Sequence, residues 1–304
     1  MKKLLTLLLI QTVLFGNLNA QCLGTGYFTD SGQNLGSSSS YDVELADLDG
    51  DGDIDAVIAN HSSQPNKVWL NDGSGNFTDS GQSLGTSNSY GVSLADLDGD
   101  GDMDAFVANY SSQPNKVWLN DGAGNFIDSG QNLGSSNSND VSLADLDGDG
   151  DMDAFVANYG QANKVWLNDG SGNFTDSGQS LGGQTSRGVA LADLDGDGDM
   201  DAFVVNYTST PNKVWLNDGV GNFTDSGQNI GNSQSYGVSL ADLDGDGDMD
   251  AFVVNYSYSN KVWLNDGTGN FTDSGQNLGS SASLGIALAD LDGDGDMDAF
   301  VSNA

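Results

Sequence analysis

The chain is poor in the residues that most often carry chemistry. Its 304 residues include one cysteine, one histidine and three prolines, and eight basic side chains stand against 44 acidic ones. With Cys22 alone, no intramolecular disulfide can form, so a secreted form would need another source of rigidity. His61 has no second histidine to pair with, no cysteine or serine stands in a nucleophile motif, and no glycine-rich phosphate loop occurs. The sequence therefore predicts no enzymatic activity. A formal charge of −36 repels nucleic acid and anionic membranes. Outside the N-terminus no apolar run is long enough to cross a bilayer, so membrane insertion is not expected. Nor does any segment carry the apolar stripe of a helix of ten or more residues.

Residues 1–20, MKKLLTLLLIQTVLFGNLNA, have a basic start, an apolar middle and small residues at the end, the pattern of a signal peptide. A mature domain of residues 21–304 would then be secreted or held at the cell surface. Gln21 stands before Cys22 where a lipidation site wants Gly or Ala, so lipid anchoring is not expected. Loss of Lys2 and Lys3 would take the charge to −38.

What the chain has in abundance is one motif. A nine-residue segment of the form DLDGDGDMD occurs six times, starting at Asp47, Asp96, Asp145, Asp193, Asp242 and Asp290, at a period of 48 or 49 residues. Its odd positions are Asp47, Asp49, Asp51, Asp53 and Asp55 in the first copy, and Asp96, Asp98, Asp100, Asp102 and Asp104 in the second. They are Asp145, Asp147, Asp149, Asp151 and Asp153 in the third, and Asp193, Asp195, Asp197, Asp199 and Asp201 in the fourth. The last two copies carry Asp242, Asp244, Asp246, Asp248 and Asp250, then Asp290, Asp292, Asp294, Asp296 and Asp298. These loops hold 30 of the 44 acidic residues, so the charge is mainly loop chemistry.

Carboxylates at positions 1, 3, 5 and 9, with the position-7 backbone carbonyl and water, make an all-oxygen shell suited to Ca²⁺ rather than to the stricter octahedron of Mg²⁺. Six loops predict about six calcium ions. Gly101 and its equivalents fall where the chain must bend sharply. An EF-hand would need Glu at position 12, which here is Ile58, Val107, Val156, Val204, Val253 or Val301. Without a cation the convergent carboxylates repel, so the ion-free loop is expected to be loose.

Between loops the pattern is that of short strands. Residues 67–71 (KVWLN), 76–80, 91–95 and 104–109 (DAFVAN) are β-branched or aromatic and bounded by Gly, Asn, Asp, Ser or Pro. Apolar residues lie on both faces of these strands, so each sheet needs neighbours on both sides. The expected fold is all-β: a β-propeller of four-stranded blades with six repeats visible. A calcium-binding parallel β-helix has far shorter repeats, and an acidic stalk would lack this apolar core. Trp69, Trp118, Trp166, Trp215 and Trp263, with Phe77, Phe126, Phe174, Phe223 and Phe271, are expected between blades. Met103, Met152, Met200, Met249 and Met297, with Ile54, are expected to pack beneath the loops.

The segments ADLDGDGDMDAFVANY and NKVWLNDGSGNF resemble the FG-GAP family, whose bacterial members are also known as VCBS repeats. The resemblance covers residues 26–304 and implies a propeller like the integrin α-subunit head and certain fungal lectins. It places VSLAD innermost, then DAFVAN, KVWLND and GNFTDS, with the calcium loop joining the first two strands. It also implies adhesion or sugar-binding roles. The ends depart from a closed ring, because six inner, second and outer strands accompany only five Trp-bearing third strands. Either six blades close imperfectly or a seven-bladed ring lacks its C-terminal part.

The most variable connections lie opposite the acidic loops. They carry Tyr41, Tyr90, Arg187 and Tyr236 beside His61, Tyr110, Tyr159, Tyr207, Tyr256 and Tyr258. Flat amphipathic rings among Asn, Ser and Gln suit a glycan or an extracellular protein as partner.

Overall fold

The computed structural model describes residues 20–22, 28–208 and 210–304. The signal peptide reading lies outside the described residues except at Ala20. Every regular element is a strand, and among the described residues no helix is long and apolar enough to cross a membrane.

A two-stranded pair, β1 (Ala20–Cys22) and β2 (Phe28–Asp30), precedes the repeats. The first repeat sheet runs β3 (Ser40–Ala46), β4 (Asp55–Asn60), β5 (Lys67–Asn71), β6 (Phe77–Asp79). The second runs β7 (Ser89–Ala95), β8 (Asp104–Asn109), β9 (Lys116–Asn120), β10 (Phe126–Asp128). The third runs β11 (Ser138–Ala144), β12 (Asp153–Asn158), β13 (Lys164–Asn168), β14 (Phe174–Asp176). The fourth runs β15 (Ser186–Ala192), β16 (Asp201–Asn206), β17 (Lys213–Asn217), β18 (Phe223–Asp225). The fifth runs β19 (Ser235–Ala241), β20 (Asp250–Asn255), β21 (Lys261–Asn265), β22 (Phe271–Asp273). The sixth has two strands, β23 (Ser283–Ala289) and β24 (Asp298–Asn303). Each four-stranded sheet follows chain order, so each repeat is an antiparallel meander.

Of the described residues, those up to 138 with 168–174 form one compact unit, and 139–167 with those from 175 onward form a second. Within each, consecutive sheets meet face to face. In the first unit Val57, Ala59 and Val68 pack with Val92, Ala105, Val107 and Phe126. In the second, Phe203, Val205 and Val214 of one sheet meet Ala251, Val253 and Phe271 of the next. The opposite face of β16, Ala202 and Val204, packs with Phe155, Ala157 and Val165. Alternation along β16 thus sends successive residues into two different cores, which explains why all six of its residues are buried. The two faces are matched in size. Phe203 meets the small Ala251 and lies edge-to-face on Phe271 at 5.1 Å. Burial of one such ring contributes about 1.5–3 kcal/mol.

Side-chain amides fasten each sheet to the next. Gln82 lies just past β6; its Oε1 accepts the Phe126 N–H at 2.8 Å and its Nε2 donates to the Gly124 carbonyl. Gln33, Gln131, Gln179 and Gln228 make the same pair of bonds one repeat on. Within a sheet, the asparagine ending the second strand closes the connection to the third. Asn109 N–H donates to Asn115 Oδ1, Asn109 Nδ2 donates to the Pro114 carbonyl, and Ser89 Oγ donates to Asn109 Oδ1.

The first strand of each repeat is longer than its sequence pattern suggests, and in five of the repeats it carries a β-bulge. In β7 the register to β8 shifts between Ser89 and Gly91, leaving Tyr90 as the extra residue. The same shift isolates Tyr41, Arg187, Tyr236 and Leu284.

Candidate functional site

Two sets of residues stand out, one at each end of the first strand. The acidic loops join the first strand of a sheet to the second, as the sequence indicates. The turn is built by the loop's own carboxylates. Asp96 Oδ1 accepts the Gly99 N–H at 2.8 Å and Oδ2 the Gly101 N–H at 3.0 Å; Asp98 accepts from Asp100, and Asp100 from Asp102. Gly101 takes φ +97°, a backbone that a side chain resists.

Position 9 is the anchor. Asp104 is fully buried; its Oδ2 accepts the Leu97 N–H at 2.9 Å and its Oδ1 the Asn120 N–H at 2.7 Å. Burial nonetheless pushes its pKa up to about 6, against these two donors, and nearby Asp98 and Asp100 add to the rise. Asp201 is likewise pushed to about 6, chiefly by burial. Among the described residues, the five lysine–aspartate ion pairs all join the third and fourth strands of a sheet, Lys116 to Asp128 at 3.1 Å for example, and none reaches a loop.

In the first three loops, oxygens of positions 1, 3 and 9 lie within 4.8 Å of one another: Asp47, Asp49, Asp55; Asp96, Asp98, Asp104; Asp145, Asp147, Asp153. In the fourth and fifth the converging set is Asp193, Asp195, Asp197 and Asp242, Asp244, Asp246. Each set is all-oxygen, anionic and close enough to chelate a divalent cation. Position 7 does not join them through its side chain. The Asp102 carboxylate rests on Gly122 in the following hairpin turn, where any Cβ would overlap it; Asp53, Asp199 and Asp248 sit likewise on Gly73, Gly219 and Gly267. That leaves position 7 its backbone carbonyl as the group to offer.

The methionines are a correction. Met103, Met152, Met200, Met249 and Met297 do not pack beneath the loops; they are 38–44% exposed. The neighbouring position 9 turns inward and is buried in the first five loops, so the alternating backbone turns position 8 outward.

At the other end of the first strand, the bulge residues meet the residues that follow the second strand. In the first unit Tyr41 lies 4.3 Å from Tyr90 and 5.0 Å from His61, ring to ring, and Tyr90 lies 4.7 Å from Tyr110. Burial lowers the His61 pKa, favouring the neutral ring. The adjoining Ser62 and Ser63 take φ of 62° and 58°, a left-handed backbone that costs a non-glycine residue energy and often marks a working surface. Asn88 of the next repeat holds this turn by accepting the Ser63 N–H at 3.0 Å.

In the second unit the cluster is built around Arg187. Its guanidinium lies 4.5 Å from the Tyr236 ring centre and 5.8 Å from that of Tyr207, and donates to Tyr236 OH at 2.9 Å. Tyr236 stacks on Tyr256 at 5.4 Å. Asn139, a residue that the sequence reading passed over, belongs here too: it is buried, accepts from Arg187 and donates to the Ser186 carbonyl. Its alignment with Tyr41 and Tyr90 in the repeat was the available signal.

Comparison with known proteins agrees with the repeat structure. A family profile described as an FG-GAP-like repeat matches residues 47–107, 96–156, 145–204, 193–253 and 242–301. No curated protein matches the chain. Among solved structures, an Agrocybe aegerita lectin described as recognising non-reducing terminal N-acetylglucosamine is similar at 23% identity, covering 93% of this chain and 79% of that one, with a TM-score of 0.53. A Lactobacillus plantarum protein is similar at 15% identity, covering 91% and 87%, with a TM-score of 0.62. BBS1N, solved in complex with ARL6DN, is similar at 13% identity, covering 86% and 74%, with a TM-score of 0.59. At these identities the likeness concerns the fold alone.

Proposed function

This chain belongs to the FG-GAP-like repeat family, and from that premise we propose that it is a secreted, calcium-binding β-propeller that binds glycans and has no catalytic role. The repeat sheets would be its blades. Ca²⁺ would be held in each loop by carboxylates at positions 1, 3, 5 and 9 and the position-7 carbonyl, Asp96, Asp98, Asp100, Asp104 and the Asp102 carbonyl in the second. Bound there, the ion would offset part of the loop's negative charge and fix the mouth of the sheet.

The observation that carries the glycan reading is the pair of aromatic clusters assembled by bulge residues. Tyr41 and Tyr90 beside His61 and Tyr110, and Tyr236 beside Tyr207, Tyr256 and Arg187, present ring faces and hydrogen-bonding edges on side chains that strand pairing does not use. Sugar rings combine an apolar face with hydroxyls and suit such a surface.

The test is a glycan-array screen of folded protein in millimolar calcium, repeated with Tyr90→Ala and Tyr236→Ala. A defined sugar hit lost in these variants, but kept when Lys116 is replaced, supports the reading. Saturable binding to an extracellular protein with no sugar hit would replace it with an adhesion role.

A further inference from the structure

The hydrogen bonds around position 9 do not stop at one loop. In the first unit Leu48 N–H donates to Asp55 Oδ2 at 2.9 Å, within the first loop. The Leu48 carbonyl accepts Asn120 Nδ2 at 2.9 Å, and the Asn120 N–H donates to Asp104 Oδ1, in the second loop, at 2.7 Å. Three bonds thus join the anchor carboxylate of one loop to that of the next.

In the second unit the same path spans three loops. It runs from Asp153 through Leu146 (2.9 Å) to Asn217 (2.8 Å) and Asp201 (2.7 Å). It continues through Leu194 (3.0 Å) to Asn265 (2.8 Å) and Asp250 (2.8 Å). Asn217 and Asn265 are each about 5% exposed, so water competes poorly for these bonds.

A second contact follows the same route. The hairpin turn after Asn120 touches both loops: the Gly122 carbonyl lies 3.4 Å from where a Cβ on Gly50 would stand, and the Asp102 carboxylate rests on Gly122. In the second unit Gly219 lies in the same way between Gly148 and Asp199, and Gly267 between Gly196 and Asp248.

We infer that divalent cations bind these loops cooperatively, with Asn120, Asn217 and Asn265 as the positioning residues that carry the coupling. The inference rests on the reading of the loops as cation sites. An ion-free loop holds mutually repelling carboxylates and samples many backbone states; filling it fixes the peptide between positions 2 and 3. That peptide carries the Leu48 carbonyl, which orients Asn120. Asn120 then presents its N–H to Asp104, and the neighbouring loop has less ordering left to do when its own ion arrives. Coupling of this kind should tighten binding about tenfold at a loop whose neighbour is filled.

The experiment is a calcium titration of the whole chain by equilibrium dialysis, comparing wild type with the triple variant Asn120→Ser, Asn217→Ser, Asn265→Ser. Serine is too short to reach the leucine carbonyl. The expected wild-type isotherm is sigmoidal, and the variant's should flatten towards a Hill coefficient of about 1. Far-UV circular dichroism at saturating calcium checks the fold. Should the triple variant not fold, Asn217→Ser alone should still reduce the steepness. A purely structural role for these asparagines would lower stability and leave the isotherm's shape unchanged, and that result overturns the coupling. Calcium uptake along a hyperbolic wild-type isotherm overturns the coupling but keeps the cation reading. No uptake at all removes both.

Discussion

The Gln82 side chain substitutes for a strand: it gives the Phe126 N–H an acceptor at 2.8 Å and caps the Gly124 carbonyl two residues earlier. Both groups belong to the next repeat, at the hairpin that opens the outermost strand. Replacing Gln82 with Ala leaves a half-buried N–H and C=O without these partners. We expect a loss of about 1–3 kcal/mol in denaturant unfolding. Gln82→Glu should cost a similar amount, because a carboxylate keeps the acceptor but faces the Gly124 carbonyl without a donor. Unfolding midpoints equal to wild type in both variants would show the latch to be idle.

Calcium should set the thermal stability. At a free concentration 100 times the dissociation constant, one site contributes about 2.7 kcal/mol, and several sites add to this. Calorimetry should show a large fall in melting temperature on chelation, recovery with calcium and weaker recovery with magnesium. Asp96→Ala should remove part of the calcium-dependent gain. A melting temperature unmoved after verified ion removal would refute the cation reading.

The pairing of Phe203 with Ala251 allows no larger residue at the second position. Ala251 is fully buried against that ring, and leucine there adds three carbons to a filled space. Ala251→Leu should destabilise by about 1–3 kcal/mol. Denaturant unfolding of the calcium-saturated protein measures this; an unchanged midpoint would mean that the two faces are not closely fitted.

Asp42 makes stability depend on pH. It stands in β3, accepts the Val92 N–H at 2.9 Å, and burial pushes its pKa up to about 6 from 3.8. Between those values the folded protein holds a proton that the unfolded chain releases. Stability from this residue is therefore fully present below pH 3.8 and is lost as pH rises through about 6. Asp42→Asn removes the titration and keeps an oxygen for Val92. Its stability relative to wild type should rise between about pH 4 and about pH 7, which paired melts in excess calcium can follow. A constant difference across that range would contradict the assignment.

The parts of this molecule that were legible in its sequence are those coded locally. DAFVAN predicts β8 at residues 104–109, where the strand is found, and the nine-residue acidic motif predicts loops whose carboxylates converge. The latches were not legible, since Gln82 finds its partners 42 and 44 residues away and nothing near it in sequence signals them. The bulge escaped notice because the sequence pattern marks only residues 91–95 as strand, whereas the strand begins at Ser89 and its ladder skips Tyr90. Met103 misled for a different reason. An apolar residue beside a turn suggests packing, but the fixed alternation from buried Asp104 turns it to solvent.

The bulge has an effect beyond geometry. Because Tyr41, Tyr90, Arg187, Tyr236 and Leu284 stand outside the ladder register, strand pairing places no demand on what they are. In a chain of otherwise near-identical repeats these positions are free to diverge one at a time. The molecule can therefore retune what one end of each repeat touches while the loops, latches and cores beneath stay as they are, much as a keyboard keeps its frame while single keys are relabelled.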